Sequence, residues 1–178
     1  MPFELLKSEI IYPGRAFTIR RDTVRLPDGR ETKLDIVEHH GSVIIIPVDD
    51  QGNLLFVRQY RHAAGLELLE LPAGTLDEGE APEACARREV REETGMAADQ
   101  LEDLGGFYLA PGYSTEYMHV YLATRLRPDP LEADADEFIS VEYIPLDKAG
   151  EMARRGEIPD AKSLAALLLA QTRLEKRK

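Results

Sequence analysis

Cysteine is almost missing from this sequence: Cys85 stands alone among 178 residues. A single thiol forms no intrachain disulfide, so stability must come from core packing, and the chain suits a reducing compartment such as the cytoplasm. With no histidine partner nearby, Cys85 reads as a small buried residue rather than a nucleophile. Tryptophan is absent altogether, so any aromatic stacking falls to Tyr or Phe, with Tyr12 and Phe17 as candidates. Positive charge is scarce. Lys and Arg number 22 against 33 Asp and Glu, a net charge of −11, which argues against non-specific binding to nucleic acid or anionic membrane. No apolar run approaches the roughly 20 residues needed to span a bilayer. The opening MPFELLKSEI has no basic start followed by an apolar stretch, so no signal peptide is expected.

Hydrophobic residues make up 43% of the chain, which suits one globular domain over 1–178 with a full core. No repeat, low-complexity tract or linker divides it. Residues 1–40 read as short strands: Ile10 to Tyr12, then Phe17 to Leu26, then a Pro27-Asp28-Gly29 turn into Thr32 to Val37 as a hairpin. The rest, 41–178, reads as a core. Val43 to Val48 is a continuous apolar run of the kind buried on both faces. A turn at Asp49 to Asn53 sends the chain back through Leu54 to Val57 and into Arg58-Gln59-Tyr60-Arg61. Glu67 to Pro72, Leu104 to Tyr108, Met118 to Ala123 and Phe138 to Pro145 are further strands. His39 and His40 match no metal-ligand pattern and read as a strand start.

The chain is organised around Gly74 to Met96, GTLDEGEAPEACARREVREETGM. An acidic glycine-rich loop runs into a short helix. Pro82 suits the first helical position, where its missing N–H costs nothing, and Gly95 suits a left-handed C-terminal cap. Ala86 and Val90 face a core. At about 100° per residue, Glu89, Glu92 and Glu93 crowd one flank, and the Glu89–Glu93 pair at i, i+4 repels by roughly 0.2–0.5 kcal/mol. One reading is a solvated helix with Glu83–Arg87 and Arg88–Glu92 ion pairs. The other is a hard cation between the carboxylates, since Mg²⁺ takes oxygen ligands, commonly one or two carboxylates plus substrate phosphates.

The order Gly74, five residues, Glu80, seven residues, Arg88-Glu89-Val90, one residue, Glu92-Glu93, one residue, Gly95-Met96 resembles the Nudix box in every defined position. That family hydrolyses nucleoside diphosphates linked to another group. The resemblance implies an α/β fold, an α/β/α sandwich with a mixed sheet, here with an N-terminal antiparallel strand segment. The RQYR preceding Glu70-Leu71-Pro72-Ala73-Gly74 is similar to ADP-ribose pyrophosphatases. So is Pro111, fifteen residues past the box. The first 37 residues resemble strands that help those enzymes form homodimers. The implied reaction is hydrolysis of ADP-ribose to AMP and ribose 5-phosphate. Alternatives are another nucleotide sugar, such as a GDP- or UDP-sugar, and a non-catalytic ADP-ribose sensor.

The resemblance also implies roles. Metal ligation, by Mg²⁺ or Mn²⁺, maps to the Ala73 carbonyl, Glu89 and Glu93, with Glu92 variably involved. Arg88 would orient a box carboxylate. Arg61 would contact the diphosphate, as guanidinium forks do, with Arg58 as a second candidate for the same role. Ser114 and Glu116, in the Pro111-Gly112 loop, are further substrate-side candidates. The acidic loop RPDPLEADADE, 127–137, would carry the catalytic base at Glu137, with Glu93 and Glu116 as competitors. The tail is expected to be helical. Asp147 caps one helix through Arg155 to Gly156, and Asp160 or Ser163 starts a second with Leu164, Leu167, Leu168 and Leu174 toward the core.

Overall fold

The computed structural model describes residues 2–132 and 138–175 and resolves two compact units. One comprises Met1–Gly41 with Phe107–Tyr117, the other Ser42–Gly106 with Met118–Lys178.

The first unit is an antiparallel sheet in the order β1-β2-β3, from β1 (Glu4–Pro13), β2 (Thr18–Arg25) and β3 (Glu31–Glu38). The β2–β3 hairpin closes through the expected turn, where Gly29 at φ 87° donates its N–H to the Leu26 carbonyl. That positive φ is one that only glycine adopts freely. β1 is longer than the Ile10–Tyr12 segment expected from sequence, because its exposed N-terminal half carries the ladder as far as the Glu4–Arg25 pair. The Ala110–Glu116 loop joins this unit: Val37 donates its N–H to the Tyr113 carbonyl, and Thr115 donates to that of Val37.

The second unit is built on β4 (Ser42–Pro47), every residue of which is buried. β4 runs parallel to β9 (Tyr117–Pro128) and antiparallel to β7 (Ala73–Thr75), in a mixed sheet of order β7-β4-β9-β8, with β8 spanning Met96–Tyr108. A second sheet, β10-β5-β6, comes from β5 (Asn53–Arg61), β6 (Leu66–Glu70) and β10 (Ile139–Pro145). Side chains alternate across a strand, so β4 needs a cover on each face. Val43 and Ile45 pack with Ala86 and Val90 of α1 (Pro82–Thr94), together with Tyr121 and Ala123. α3 (Ala161–Glu175) also packs on β4, and α2 (Leu146–Arg154) packs on β5 and β10. This is an α/β/α arrangement around a mixed sheet.

Three local expectations change. Ala73–Thr75, to which the sequence assigned no element after the Glu67 to Pro72 strand, forms a three-residue edge strand. Asp147 lies inside the first turn of α2, whose N-cap is Pro145 with no side-chain cap, and the helix stops at Arg154. The buried stripe of α3 is Ser163, Ala166, Ala170 and Leu174. Small residues let that helix approach the sheet closely. Leu164, Leu167 and Leu168 instead line an open apolar cavity of about 530 Å³ with Leu54 and Leu146.

Candidate active site

α1 begins and ends where its sequence dictates. Pro82 is in the first turn, and Gly95 caps the C-terminus at φ 73°, donating its N–H to the Arg91 carbonyl. Fixing both ends fixes the rotation of the helix. Ala86 and Val90 are fully buried, and Glu89 and Glu93 beside them are drawn into the interior, 8% and 5% exposed. Arg87 and Arg91 turn away, Arg87 to Glu83 and the Ala98 carbonyl, Arg91 to Asp129.

Arg88 is the hub of this flank. Its guanidinium donates to Glu80 Oε2 at 2.9 Å, Glu89 Oε1 at 2.6 Å and Glu92 Oε2 at 2.9 Å. Hydrogen bonding from Arg88 holds the Glu80 carboxyl down at about 2. The guanidinium in turn is pushed further toward its charged form, first by Glu80 and then by Glu89 and Glu92. One cation thus contacts three carboxylates and leaves the flank negative: the Glu83–Arg87 and Arg88–Glu92 ion pairs of a solvated helix are present, but Glu89 and Glu93 are buried rather than solvated. Cys85 is fully buried, its thiol pushed well above the usual range by desolvation and by the charge of Glu89.

The edge strand β7 faces these acids. Ile45 donates its N–H to the Pro72 carbonyl at 2.8 Å. Bonded and non-bonded pairs alternate along an antiparallel ladder. The Ile44–Ala73 pair is therefore non-bonded, and the N–H and C=O of Ala73 point away from β4. The N–H is taken by Glu93 Oε2 at 3.0 Å. Next to it, a Cβ placed on Gly74 would lie 1.8 Å from Glu89 Oε1. Only glycine lets that carboxylate rest on the backbone.

Among the described residues, no three His, Cys, Asp or Glu side chains converge on one point that could hold an ion. The donors gathered here are two carboxylates, Glu89 and Glu93, beside the outward carbonyl of Ala73. That all-oxygen set with few carboxylates fits Mg²⁺, which completes its shell with water and phosphate oxygens.

A second cluster adjoins the first along the chain. Arg61, at the end of β5, donates from Nε to Glu70 Oε1 at 2.9 Å and from Nη2 to Glu70 Oε2 at 2.7 Å. Glu70 is 1% exposed and also binds Lys162 of α3. Burial pushes its carboxyl upward, but Arg61 and Lys162 together outweigh that and leave it below the usual range. Arg58 pairs instead with Glu142 across the β5–β10 ladder at 2.6 Å.

Of the candidate residues, Ala73, Arg88, Glu89, Glu92 and Glu93 are gathered on one flank of α1, and Arg61 stands within electrostatic reach of Glu93. Ser114 and Glu116 lie in the first unit, where Ser114 Oγ accepts the Glu116 N–H at 3.1 Å. Phe17 lines a cavity of about 370 Å³ there with Arg15, His39 and His40. Glu137 lies outside the described residues. The sequence assigns no site role to Glu70, Lys162 or Ser163. The one signal for Glu70 was a carboxylate inside the otherwise apolar run Leu68-Leu69-Glu70-Leu71-Pro72, which a buried strand tolerates only beside a cation.

The NUDIX domain family matches residues 38–167, and the nucleoside diphosphate sugar hydrolase N-terminal domain matches residues 3–33. The chain belongs to the NUDIX family and is a Nudix pyrophosphohydrolase. It is 42% identical to the ADP-ribose pyrophosphatase of Mycobacterium tuberculosis, over 93% of this chain and 82% of that one. It is 36% identical to the ADP-ribose pyrophosphatase of Bacillus subtilis, over 93% and 91%. A GDP-mannose pyrophosphatase of Yersinia pestis is 36% identical over 74% of this chain and 71% of its own. A solved structure titled as an ADP compounds hydrolase superposes with a TM-score of 0.88 at 25% identity, covering 99% of this chain and 96% of that one.

Proposed function

We propose that this enzyme hydrolyses the diphosphate of ADP-ribose to AMP and ribose 5-phosphate, with Mg²⁺, or Mn²⁺ in its place, as the required ion. The observation that carries the reading is the seating of Glu89 and Glu93 against Ala73 and Gly74, supported by ADP-ribose pyrophosphatases that align over 93% of the chain. Glu89, Glu93 and the Ala73 carbonyl would hold the ion, with Glu92 close by. When bound, the ion supplies positive charge to the diphosphate and lowers the pKa of water.

The chain's own residues do the rest. Arg88 keeps Glu89 and Glu92 oriented, and Arg61 presents a guanidinium to the diphosphate, assisted by Arg58. Ser114 and Glu116 contribute on the substrate side. Glu137 accepts the proton as the water oxygen bonds to phosphorus and the bridging P–O bond breaks. The working form is a cytoplasmic homodimer, single-domain in each chain, with the strands of residues 1–40 in the contact. The exposed Leu5, Ile10, Ile11 and Tyr12 of β1 support that assembly.

The GDP-mannose relative favours a second reading, another nucleotide sugar handled by the same site. A panel of ADP-ribose, GDP-mannose and a UDP-sugar, each with Mg²⁺ and in chelator, decides between them by kcat/KM. Turnover of ADP-ribose below that of GDP-mannose would reverse the assignment.

A further inference from the structure

The segment from Glu70 to Gly74 is fixed at every residue. Glu70 is held by Arg61 and Lys162, the Leu71 N–H by Ser163 Oγ at 2.7 Å, the Pro72 carbonyl by Ile45, the Ala73 N–H by Glu93, and Gly74 by close contact with Glu89. Lys162 and Ser163 come from α3, each ninety-two residues along the chain from the residue it holds. They form one polar unit. Ser163 Oγ donates to Asp160 and accepts from Leu71, so its single proton and its acceptor capacity are both used. Lys162 bridges Glu70 and Asp160, the latter at 3.0 Å. Ser163 is fully buried, and the side chains of Lys162 and Asp160 are 14% and 12% exposed.

The asymmetry within the Arg61–Glu70 pair indicates what the unit is for. The Glu70 side chain is 1% exposed and that of Arg61 is 40% exposed. The carboxylate grips the guanidinium by its Nε–Nη2 edge. That uses two of the five N–H donors of an arginine and fixes the plane of the fork. Without that grip the long side chain recovers its rotamer freedom, and Glu93, whose charge already acts on Arg61, becomes a competing partner.

We infer that Glu70 and Lys162 are positioning residues for Arg61: the buried Glu70 carboxylate, held from behind by Lys162 at the start of α3, fixes the guanidinium so that its open edge receives a substrate phosphate. This rests on the reading of Arg61 as a diphosphate contact. Asp160 and Ser163 complete the device by fixing Lys162 and the chain after Glu70. α3 thus takes part in substrate binding without touching substrate.

The test is a double-mutant cycle on the full-length enzyme with ADP-ribose and Mg²⁺. Glu70→Gln keeps the shape but removes the bidentate charge. It is expected to lower kcat/KM by at least about 10-fold, mainly through KM, on the scale by which misplaced groups weaken positioning. In an Arg61→Ala background the same change should cost less than about 2-fold, because nothing remains to be positioned. A purely structural role would lower kcat/KM by the same factor in both backgrounds, and that result would overturn the inference. Should Glu70→Gln fail to fold, Lys162→Met decides in its place. It should raise KM several-fold, Lys162→Arg should restore most of the loss, and the effect should likewise vanish in Arg61→Ala. Wild-type kcat/KM in Lys162→Met with a large loss in Arg61→Ala would overturn the positioning role and leave the Arg61 contact standing. Wild-type kcat/KM in Arg61→Ala itself would remove the Arg61 contact, and the positioning role with it.

Discussion

Gly74→Ala is the smallest change that tests the site. Its backbone is not in a glycine-only conformation, so the main chain accepts alanine. The new methyl is the difficulty. Its carbon would sit 1.8 Å from Glu89 Oε1, 1.9 Å from Cδ and 2.4 Å from Oε2. To reach an ordinary contact of 3.4 Å from 1.8 Å, the carboxylate must retreat by about 1.6 Å. Oε1 is the atom that Arg88 binds at 2.6 Å, so the move also breaks that bond. A charge-assisted hydrogen bond contributes about 1.5–3 kcal/mol, while replacing glycine recovers about 0.4–1 kcal/mol of unfolded-chain entropy. The net is a modest destabilisation of about 1–2 kcal/mol, a few degrees in Tm for a chain of this length.

Activity should suffer far more. A displacement beyond 1 Å at a reacting centre costs on the order of 10²-fold, about 2.7 kcal/mol of barrier. The assay is kcat/KM for ADP-ribose at saturating Mg²⁺ beside a thermal melt. In a Glu89→Ala background the glycine change should add little, because the space is already vacant. Wild-type turnover by Gly74→Ala would refute the claim that Glu89 acts from its contact with β7.

Chelation should abolish turnover and Mg²⁺ or Mn²⁺ should restore it; full activity in excess chelator would sink the metal assignment. Glu137→Gln should lower kcat by about 10²–10⁴-fold, the usual value of a positioned base, with little change in KM, and unchanged kcat together with loss in Glu116→Gln moves the base to Glu116. Glu80, held at about 2 by Arg88, has a depressed pKa. Its stabilising effect is therefore complete above the ordinary carboxylate range and fades as pH falls toward 2, so wild type should out-melt Glu80→Gln at neutral pH and lose that advantage in acid. Sedimentation at micromolar concentration should give a dimer, and a clean monomer would overturn the proposed assembly.

How much of this was legible beforehand depended on how local each signal was. α1 was readable to the residue because Pro82 and Gly95 have steric reasons to stand at its ends. β4 was readable because both its faces are apolar. β7 was missed because three residues carry no periodicity and its pairing depends on β4, some thirty positions earlier. The α3 stripe was misjudged because leucine content outweighed close approach: against the sheet, Ala166 and Ala170 fit where leucines do not. That Lys162 would partner Glu70 had no local signature, since the two meet only after the sheet has formed. Within the site, the crowding of Glu89, Glu92 and Glu93 was plain from helical spacing. That Arg88 would hold Glu89 and Glu92 together with Glu80, while Glu93 took the Ala73 N–H, required coordinates.

The solitary thiol gives this site an intrinsic reporter. Cys85 lies near the start of α1, fully buried, with Arg88 donating to its sulfur at 3.3 Å. A thiol reagent can reach it only when the helix lifts from the sheet, and reaction follows that opening equilibrium when closing is fast. Labelling of the native protein therefore measures, with no engineered probe and no competing cysteine, how often the helix that carries Glu89 and Glu93 comes away. Comparing the rate with and without Mg²⁺ or nucleotide would express ligand binding as a change in the lifetime of one helix.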